Sequence, residues 1–394
     1  MRNYVLFDDH SWNDLLPLTY TKPCAELRIG ILTIREKWEN VLNEKLSFQT
    51  QEYLQEKYAL KLTSDTTFIN GKLLPSKQLV EAIKNLKPET GLKKDNQLIA
   101  YRTDKQKRLD VMEQITNATE FTNYITAINY PWDIFLKNAE AIELDFESLT
   151  QNKKSQPLSN SNKVIGDVSR IFIEEGAVVE ASIFNTKSGV IYIGKDAEVM
   201  EGSIVRGPFV LGEHSVLKLA TKVYGPTTIG PHSKVGGEIN NSVIMGYSNK
   251  AHDGFLGNSV VGEWCNLGAD TNNSNLKNNY GSVKLFNYQS ETMKDSGLQF
   301  CGLMMGDHSK CGINTMFNTG TVVGVGANIF GGGFPPNHIP SFTWGGAEMM
   351  EEYQFDKMIE TTNRVLARRN LSLDDVDKKI LQTIFNQTKK FRQK

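Results

Sequence analysis

The chain has 394 residues, and 44 Lys and Arg against 45 Asp and Glu give it a net charge of -1 at pH 7. A chain of this length exceeds the usual size of one hydrophobic core, so we expect more than one domain. The balanced charge and the lack of a long Lys/Arg block argue against nucleic acid or an anionic membrane as the main partner, and favour small molecules.

The first residues contain acidic side chains and no sustained apolar run. They predict neither a signal peptide nor a membrane span, so a cytoplasmic location is the expectation. The cysteines form no CxxC pair, and we expect all four to be buried free thiols rather than ligands or disulfides: Cys24, Cys265, Cys301 and Cys311.

Residues 1–155 alternate apolar strand-like runs (YVLF, TTFING, QLIAYR) with helix-like stretches (LTIREKWENVL, KQLVEAIKNL). This rhythm predicts an α/β layer fold. The stretch LLPLTYTKPCAELRIG resembles the opening of the sugar nucleotidyltransferases, and FINGKLLPSKQLVEAI and YPWDIFLKN resemble later segments of that family. The resemblance implies a nucleotidyltransferase-like domain over residues 1–155.

The chemical groups of that family are largely replaced in this domain. No glycine occurs between Met1 and Arg28, so the Gly-rich phosphate loop is missing. Cys24 stands where the family has a lysine, and Lys72 stands where it has a metal-binding Asp. An ammonium group cannot coordinate Mg²⁺, so we predict a reduced domain that uses Mg²⁺ only if it is active, and no metal site. Four polar residues are alternatives for a rearranged site, although we expect each to be solvated: Asp8, Asp9, Lys22 and Arg28.

After a polar segment at 151–163, interpreted as a linker, an aliphatic residue recurs at every sixth position. The members of this run are Ile193, Val199, Val205, Leu211, Leu217, Val223, Ile229 and Val235. A second run repeats the spacing with Met305, Cys311, Phe317, Val323 and Ile329. Glycine often follows these residues, and period six predicts short strands joined by turns, three to a triangular coil. Such coils stack at about 4.8 Å.

This repeat resembles the hexapeptide-repeat acyltransferases, whose fold is a left-handed parallel β-helix. The resemblance implies a β-helix domain over residues 163–340, with a long insertion at 270–297. Residues 347–394 have helical periodicity, with Ser372 as the candidate N-cap of the second helix. We expect these helices to cover the last, otherwise open, coil of the β-helix.

A polar stretch around His252 interrupts the repeat. Three other histidines occupy equivalent places, third after an aliphatic residue, and are predicted to lie in turns: His214, His232 and His308. His252 instead lies between Met245-Gly246 and Leu256-Gly257, which are eleven residues apart where twelve would keep register. The missing residue predicts a puckered coil that re-aims nearby side chains, as bulges do in sheets.

The stretch KAHDGFLGNSVVGEWCNLGADTNNSN resembles the acetyltransferase segment of the bifunctional glucosamine-1-phosphate acetyltransferase and N-acetylglucosamine-1-phosphate uridylyltransferase family, in a variant typical of Bacteroidetes. The resemblance implies that His252 is the general base and that Glu238, fourteen positions earlier, is its acidic partner. A neutral imidazole can accept the proton of an amine that attacks a thioester, and a carboxylate can fix its tautomer. The alternative is that His252 has only a structural role, as a polar residue that hydrogen-bonds within a turn.

The resemblance also implies binding residues. It assigns Arg206 to the substrate phosphate, because a guanidinium group can bind a phosphate through two parallel hydrogen bonds. It assigns Asn266 and Asn275 to the sugar hydroxyls or the acyl thioester. Two positions depart from the family: this chain has Asn240 where the family has a lysine, and Phe255 where it has a tyrosine. Each replacement would remove a polar contact to the sugar phosphate. Three positions correspond to the acetyl-CoA groove: Ala269, Ile313 and Gly331.

Together these features predict an acetyl-CoA-dependent N-acetyltransferase that acts on an amino-sugar phosphate in the synthesis of cell-envelope precursors. The family places its groove between neighbouring β-helices, so the resemblance implies a homotrimer. Two alternatives remain open: a bifunctional enzyme that also makes a UDP-sugar from UTP, and a non-catalytic protein that binds a sugar nucleotide.

Overall fold

A computed structural model of the chain describes residues 2–111, 113 and 118–392. By their contacts these residues form two compact units. Unit 1 comprises residues 1–15, 21–27 and 32–130, and unit 2 comprises residues 16–20, 28–31 and 131–394. The first compact unit therefore ends at Tyr130 and not at 155, the boundary predicted from sequence, because the helices that follow Tyr130 pack with unit 2.

Unit 1 is built on a six-stranded mixed sheet. Its strands, in spatial order, are Ser47–Gln49, Asn3–Phe7, Thr66–Asn70, Gln97–Thr103, Thr90–Lys94 and Ala118–Glu120. Its α-helices are Ile34–Leu42 and Lys77–Lys84, its short 3-10 helices are His10–Leu15, Cys24–Glu26 and Glu52–Leu54, and a further short strand is Leu32–Thr33. A capping box between Thr33 and Glu36 starts the first α-helix. The predicted α/β layer fold is confirmed, with strands and helices in the predicted segments.

Unit 2 contains a parallel β-helix of about ten turns, so the predicted β-helix fold is confirmed. Its first face consists of Ile171–Ile173, Ile191–Ile193, Phe209–Leu211, Thr227–Ile229, Val243–Gly246, Val260–Glu263, Met304–Met305, Val322–Val323 and His338–Ile339. Its second face consists of Val178–Val179, Glu198–Val199, Val216–Leu217, Lys234–Val235, Asn249–Lys250, Asn266–Leu267, Lys310–Cys311, Asn328–Ile329 and Thr343–Gly345. Its third face consists of Lys163–Ile165, Ile183–Asn185, Ile204–Arg206, Lys222–Tyr224, Glu238–Asn240 and Phe255–Gly257, and Asn272–Asn273 and Met316–Phe317 form a further parallel pair.

The residues of both six-residue runs all lie in the buried core of this β-helix. Equivalent members stack in register from coil to coil, as Ile193 does on Leu211. The glycine that often follows a core residue has a steric cause. A Cβ on Gly194 would lie 2.7 Å from the backbone nitrogen of Glu213 in the next coil. The coils can therefore approach to hydrogen-bonding distance only because a side chain is missing there.

The predicted loss of one residue at His252 is wrong. The first-face core residue is Ile244, which pairs with Ile229 and Val261, and not Met245. From Ile244 to Leu256 the spacing is twelve, with Lys250 halfway, so this stretch keeps the six-residue period. Met245 alternates with Ile244 along the strand and points away from the core, although its Met-Gly pair imitates the repeat.

The coil shortens instead at the preceding corner. Core residues of the second and third faces are six apart at Leu217 and Val223, but only four apart at Val235 and Ile239. Gly236 and Gly237 make this tight corner, and Gly237 adopts a left-handed backbone with φ 82°. The following corner, which carries His252, has the full length and stacks on this short one.

The three other histidines lie at the turns between the first and second faces, as predicted. Each has positive φ, with 54° at His214, 58° at His232 and 63° at His308. The rings continue as a stacked column from His214 through His232 and Tyr247 to Trp264, with centroids 4.4–4.8 Å apart. Stacking of successive coils thus places aromatic rings in register along one edge of the β-helix.

The insertion leaves the β-helix after Asn273 and returns at Cys301, whose backbone N–H donates to the carbonyl of Asn275. It contains an antiparallel hairpin of Lys284–Asn287 and Thr292–Asp295. The hairpin packs on its own chain, where the ring of Phe286 stacks on His338 at the last first-face strand.

The C-terminal segment covers the last coil as predicted, with helices Phe355–Ala367, Asp375–Gln387 and Lys389–Arg392 after a short strand, Met350–Glu352. The ring of Phe342 in the last coil contacts Phe355 and Phe385 of the cap. The predicted N-cap is wrong: Asp374, and not Ser372, caps the second helix by accepting from the backbone N–H of Asp377.

At the other end of unit 2, the segment interpreted as a linker covers the first coil. The backbone N–H of Gln156 donates to the carbonyl of Ile173, and Leu158 packs on the core. The remaining elements of unit 2 are helices Pro131–Leu136 and Asn138–Thr150, the strand Arg28–Ile29 and the 3-10 helix Val168–Arg170. Among the described residues, no helix is both long enough and apolar enough to cross a membrane.

Candidate functional site

His252 lies at the corner between the second and third faces, two residues after the core residue Lys250, and its side chain is exposed. Ala269, Ile313 and Gly331 hold the same place in the next three coils, each two residues after a core residue. The four residues that the resemblance assigned to the base and to the acetyl-CoA groove therefore form one column along this corner.

A groove of about 730 Å³ runs beside this corner, between the second face and the helix Phe355–Ala367. We call it the cationic groove, and it is lined by Lys234, Tyr247, Asn249, Ala251, His252, Trp264, Cys265, Asn266, Leu267, Gly268, Ala269, Lys310, Ile313, Thr361, Val365, Arg368 and Arg369. Among the described residues that line it there is no Asp or Glu, against two lysines and two arginines. Such a groove favours a ligand with several negative charges.

The walls of the cationic groove differ in character. Tyr247 and Trp264, stacked at 4.4 Å, form an aromatic surface that suits a flat ring. On the opposite wall Arg369 is held in place because its guanidinium donates to the carbonyl of His232 at 2.7 Å. Burial lowers the pKa of Lys310, whose Nζ donates to the carbonyl of His308 at 2.8 Å. Both walls come from one chain.

The third face presents a different set of polar groups on the other side of the His252 corner. Lys222, Glu238 and Phe255 face outward in one column of successive coils. The Tyr224 hydroxyl donates to the Glu238 carboxylate at 2.6 Å, and Lys222 Nζ lies 3.6 Å from it. Burial and this carboxylate raise the pKa of Tyr224 to about 12. We call these residues the third-face surface.

The predicted pairing of Glu238 with His252 is not formed as a hydrogen bond. Glu238 lies one coil below the His252 corner, and within the described part of the chain its carboxylate contacts Tyr224 and Lys222. The backbones of the two residues nevertheless lie close together. Gly237 precedes Glu238, and a Cβ on Gly237 would lie 3.0 Å from the carbonyl oxygen of His252 in the next coil. The role of Glu238 stays a prediction.

The other predicted site residues are dispersed. Asn266 lines the cationic groove, whereas Asn275 lies on the far side of the third face, where its amide donates to Asn258 at 2.7 Å. Arg206 is exposed on the third face, three coils from Gly257, or about 14 Å along the axis. Gly331 shares the corner column but does not line the groove.

Several groups at the site were missed by sequence reasoning. Lys222 and Tyr224 lie one coil from Glu238, and a cross-coil spacing of sixteen residues would have indicated Lys222. Arg368 and Arg369 come from the cap, and nothing in their local sequence connects them with residues more than a hundred positions earlier. Only the packing of the helix on the second face brings them to the groove.

Unit 1 contains a second, smaller pocket of about 300 Å³, lined by Asp9, His10, Ser11, Asp14, Lys72, Asn96, Gln97, Leu98, Val111, Asn129 and Tyr130. The side chain of Lys72 is 1% exposed, its Nζ lies 3.5 Å from the Asp9 carboxylate, and it hydrogen-bonds to Ser11. Burial alone would raise the pKa of Asp9, but the Lys72 charge and three hydrogen bonds lower it to about 2. The pocket is thus built around an internal ion pair.

The expectation that this part of unit 1 is solvated is wrong. Asp9 and Lys22 are buried, and burial raises the pKa of Asp8 to about 6, although Asp8 accepts from the backbone N–H of Cys24 and the hydroxyl of Thr50. The carboxylates of Asp8 and Asp9 therefore have their polar partners inside unit 1. The predicted buried free thiols are confirmed at all four cysteines.

These residues do not fit Mg²⁺. The ammonium of Lys72 already balances the Asp9 carboxylate, and a metal ion there would face a fixed positive charge. Among the described residues, no group of three or more His, Cys, Asp or Glu side chains could hold a metal ion.

Comparison with known proteins agrees with the two-part architecture. Residues 4–154 match the family model "Sugar nucleotidyl transferase". A bifunctional sugar-1-phosphate nucleotidylyltransferase/acetyltransferase of Sulfurisphaera tokodaii is 29% identical over 214 residues, which are 54% of this chain and 46% of that protein. The bifunctional protein GlmU of Methanococcus maripaludis is 25% identical over 230 residues, 57% of this chain and 49% of that protein.

Among solved structures, the Arabidopsis UDP-N-acetylglucosamine acyltransferase is 16% identical, with a TM-score of 0.26, over 52% of this chain and 77% of that one. AntD, an N-acyltransferase from Bacillus cereus, is 15% identical, with a TM-score of 0.22, over 52% of this chain and 91% of that one. The chain spans about half the length of the curated relatives above. The resemblance predicted from sequence is confirmed: over about half of its length the chain is similar to bifunctional sugar-1-phosphate nucleotidylyltransferase/acetyltransferases, and its residues 4–154 match the family model of the sugar nucleotidyltransferases.

Proposed function

We propose that unit 2 is an N-acetyltransferase that uses acetyl-CoA to acylate the amine of an amino-sugar phosphate, in the synthesis of sugar nucleotides for the cell envelope. The observation that carries the proposal is the position of His252, at a corner with the cationic groove on one side and the third-face surface on the other. A transfer reaction needs two substrates to meet at one group, and this corner supplies that geometry.

The cationic groove suits the donor. Coenzyme A carries a diphosphate, a further phosphate and an adenine ring, and the groove offers Arg368, Arg369 and two lysines for the phosphates and the Tyr247–Trp264 surface for the ring. Asn266 and the column of Ala269 and Ile313 extend the groove toward His252, where the thioester would lie.

The third-face surface suits the acceptor. Lys222 can bind the phosphate, while Glu238 and Tyr224 can hydrogen-bond to sugar hydroxyls or to the amine. His252 accepts a proton from the amine as its nitrogen attacks the thioester carbonyl. The new C–N bond forms as the C–S bond breaks, and the coenzyme thiolate leaves and takes up the proton.

The bifunctional alternative is supported by the family match over residues 4–154 but opposed by the Lys72–Asp9 ion pair. The non-catalytic alternative gives the cationic groove a ligand, because a sugar nucleotide also carries a diphosphate and a flat base, but it leaves the exposed imidazole of His252 without a role. The homotrimer and the cytoplasmic location stay predictions, and light scattering on the purified chain tests the trimer.

The test is thiol release from acetyl-CoA, measured with a panel of amino-sugar phosphates and with the matching sugar phosphates that have a hydroxyl in place of the amine. We expect release that depends on the amine, with one N-acetylated product per thiol by mass spectrometry. Thiol release that is equal for the hydroxyl analogues, or absent with every amine, would refute the proposed function.

A further inference from the structure

Lys250 is a buried lysine in the core of the β-helix. The inward residues of the second face form a column whose other members are aliphatic, Cys or Gly: Val179, Val199, Leu217, Val235, Leu267, Cys311, Ile329 and Gly345. Lys250 stacks on Val235 in this column and is 1% exposed. Burial of an ammonium group in such a place costs free energy unless its protons are hydrogen-bonded. The groups to which Lys250 donates therefore decide what this residue contributes.

The Nζ of Lys250 is bound to one short segment of backbone. It donates to the carbonyl of His252 and, at 3.0 Å, to the carbonyl of Asp253. Among the described residues it forms no ion pair, although the charges of Asp253 and Asp270 act on it from farther away. Burial lowers its pKa to about 8. The side chain therefore reaches from the core to the inner side of the His252 corner.

The His252 corner has few other attachments. Within the described part of the chain, the hydrogen bond from Lys250 is the only one that His252 makes. Asp253 and Gly254 accept from the backbone of neighbouring coils, at 3.0 Å from Asp270 and 3.2 Å from Glu238. Below it, the corner at Gly236 and Gly237 is two residues shorter, so the two corners stack without matching residue for residue, and the backbone hydrogen bond from that side goes to Gly254 and not to His252.

We propose that Lys250 is a positioning residue that fixes the His252 corner from inside the β-helix and so aims the imidazole at the junction of the two surfaces. This inference rests on the proposed function for its catalytic consequence. An aliphatic residue at 250 would leave two carbonyls without this donor and the corner free to shift. A misplacement of about 1 Å can cost on the order of 100-fold in rate.

The test compares Lys250→Met with Leu217→Met, a matched control in the same core column, two coils away, that does not line the cationic groove. Methionine has a similar length and no donor, and it fits a column of apolar residues, so both variants are expected to fold. Lys250→Leu serves as a second variant if the methionine variant fails to fold. Hydrogen exchange of the peptide 249–256 and steady-state acetyl transfer are measured on each full-length chain.

We expect faster exchange at 251–255 in Lys250→Met with other coils unchanged, and a kcat that falls about 10- to 100-fold while KM for both substrates stays within about twofold. Leu217→Met should match the wild type in both measurements. Wild-type exchange at the corner, or a wild-type kcat, would overturn the inference. If the wild type transfers no acetyl group, the proposed function fails, while the exchange result still decides whether Lys250 fixes the corner.

Discussion

Lys72 in unit 1 and Lys250 in unit 2 are each only 1% exposed, and their ammonium groups are stabilised by different kinds of partner. Lys72 in unit 1 lies beside the Asp9 carboxylate, so its charge is balanced inside the pocket. Among the described residues, Lys250 in unit 2 donates only to the backbone carbonyls of the His252 corner. The cationic groove beside that corner is lined by two lysines and two arginines and by no carboxylate. The comparison teaches that a cation near a pocket indicates an anion site only where no carboxylate already balances it.

The largest effect is expected from breaking the ion pair in unit 1. Asp9→Asn leaves the buried Lys72 ammonium without its counter-charge, which should lower the free energy of unfolding of unit 1 by about 3–5 kcal/mol. Urea unfolding of the full chain measures this, with hydrogen exchange of peptides from residues 66–103 to assign the transition. Asp9→Asn combined with Lys72→Met should recover most of the loss. A single variant as stable as the wild type would show that the pair does not hold unit 1 together.

The cations of the cationic groove have no carboxylate beside them in its lining, so their removal is expected to weaken ligand binding and not to lower stability. Replacing both Arg368 and Arg369 by alanine should raise KM for acetyl-CoA about 10- to 100-fold, because each removes a charge-assisted contact, with kcat within about twofold. Steady-state kinetics at varied acetyl-CoA measures this. Arg364→Ala is the control, since Arg364 lies in the last turn of the helix that Arg368 and Arg369 follow, pairs with Glu360 and does not line the groove. An equal rise for the control would contradict a specific donor site.

A smaller effect is expected on the third face. Lys222→Ala should raise KM for the sugar phosphate about tenfold, because one exposed ammonium contact is lost. Arg206→Ala should have less effect, since Arg206 lies about 14 Å from the His252 coil. Kinetics at varied sugar phosphate separates the two, and the reverse order would restore the assignment of Arg206 that the sequence suggested.

The fold could be predicted from sequence because the β-helix repeats one local rule. Six-residue spacing of core residues and the glycine after them follow from stacking alone, so Ile193 or Leu211 can be assigned without knowledge of distant residues. The same rule failed where a neighbouring residue imitated it. Met245-Gly246 looks like a core pair, and only the register with Ile229 and Val261 identifies Ile244 as the core residue.

The site could be predicted only in part, because its two sides depend on different information. His252 and Ala269 lie in one motif, and their corner column follows from the repeat. Arg368 reaches the groove through packing of the cap, and Lys222 through stacking of coils, so neither contact is present in any short stretch of sequence. The Lys72–Asp9 pair was missed for the same reason, since 63 residues separate its members.

The most direct test of the central claim compares His252→Ala with His214→Ala in the acetyl-transfer assay. His214 is an exposed turn histidine on the other edge of the second face, so its loss controls for removal of an imidazole from the β-helix. We predict that His252→Ala lowers kcat by about 10²- to 10⁴-fold, while His214→Ala keeps the wild-type rate. A His252→Ala variant that is folded and transfers acetyl groups at the wild-type rate would contradict the account.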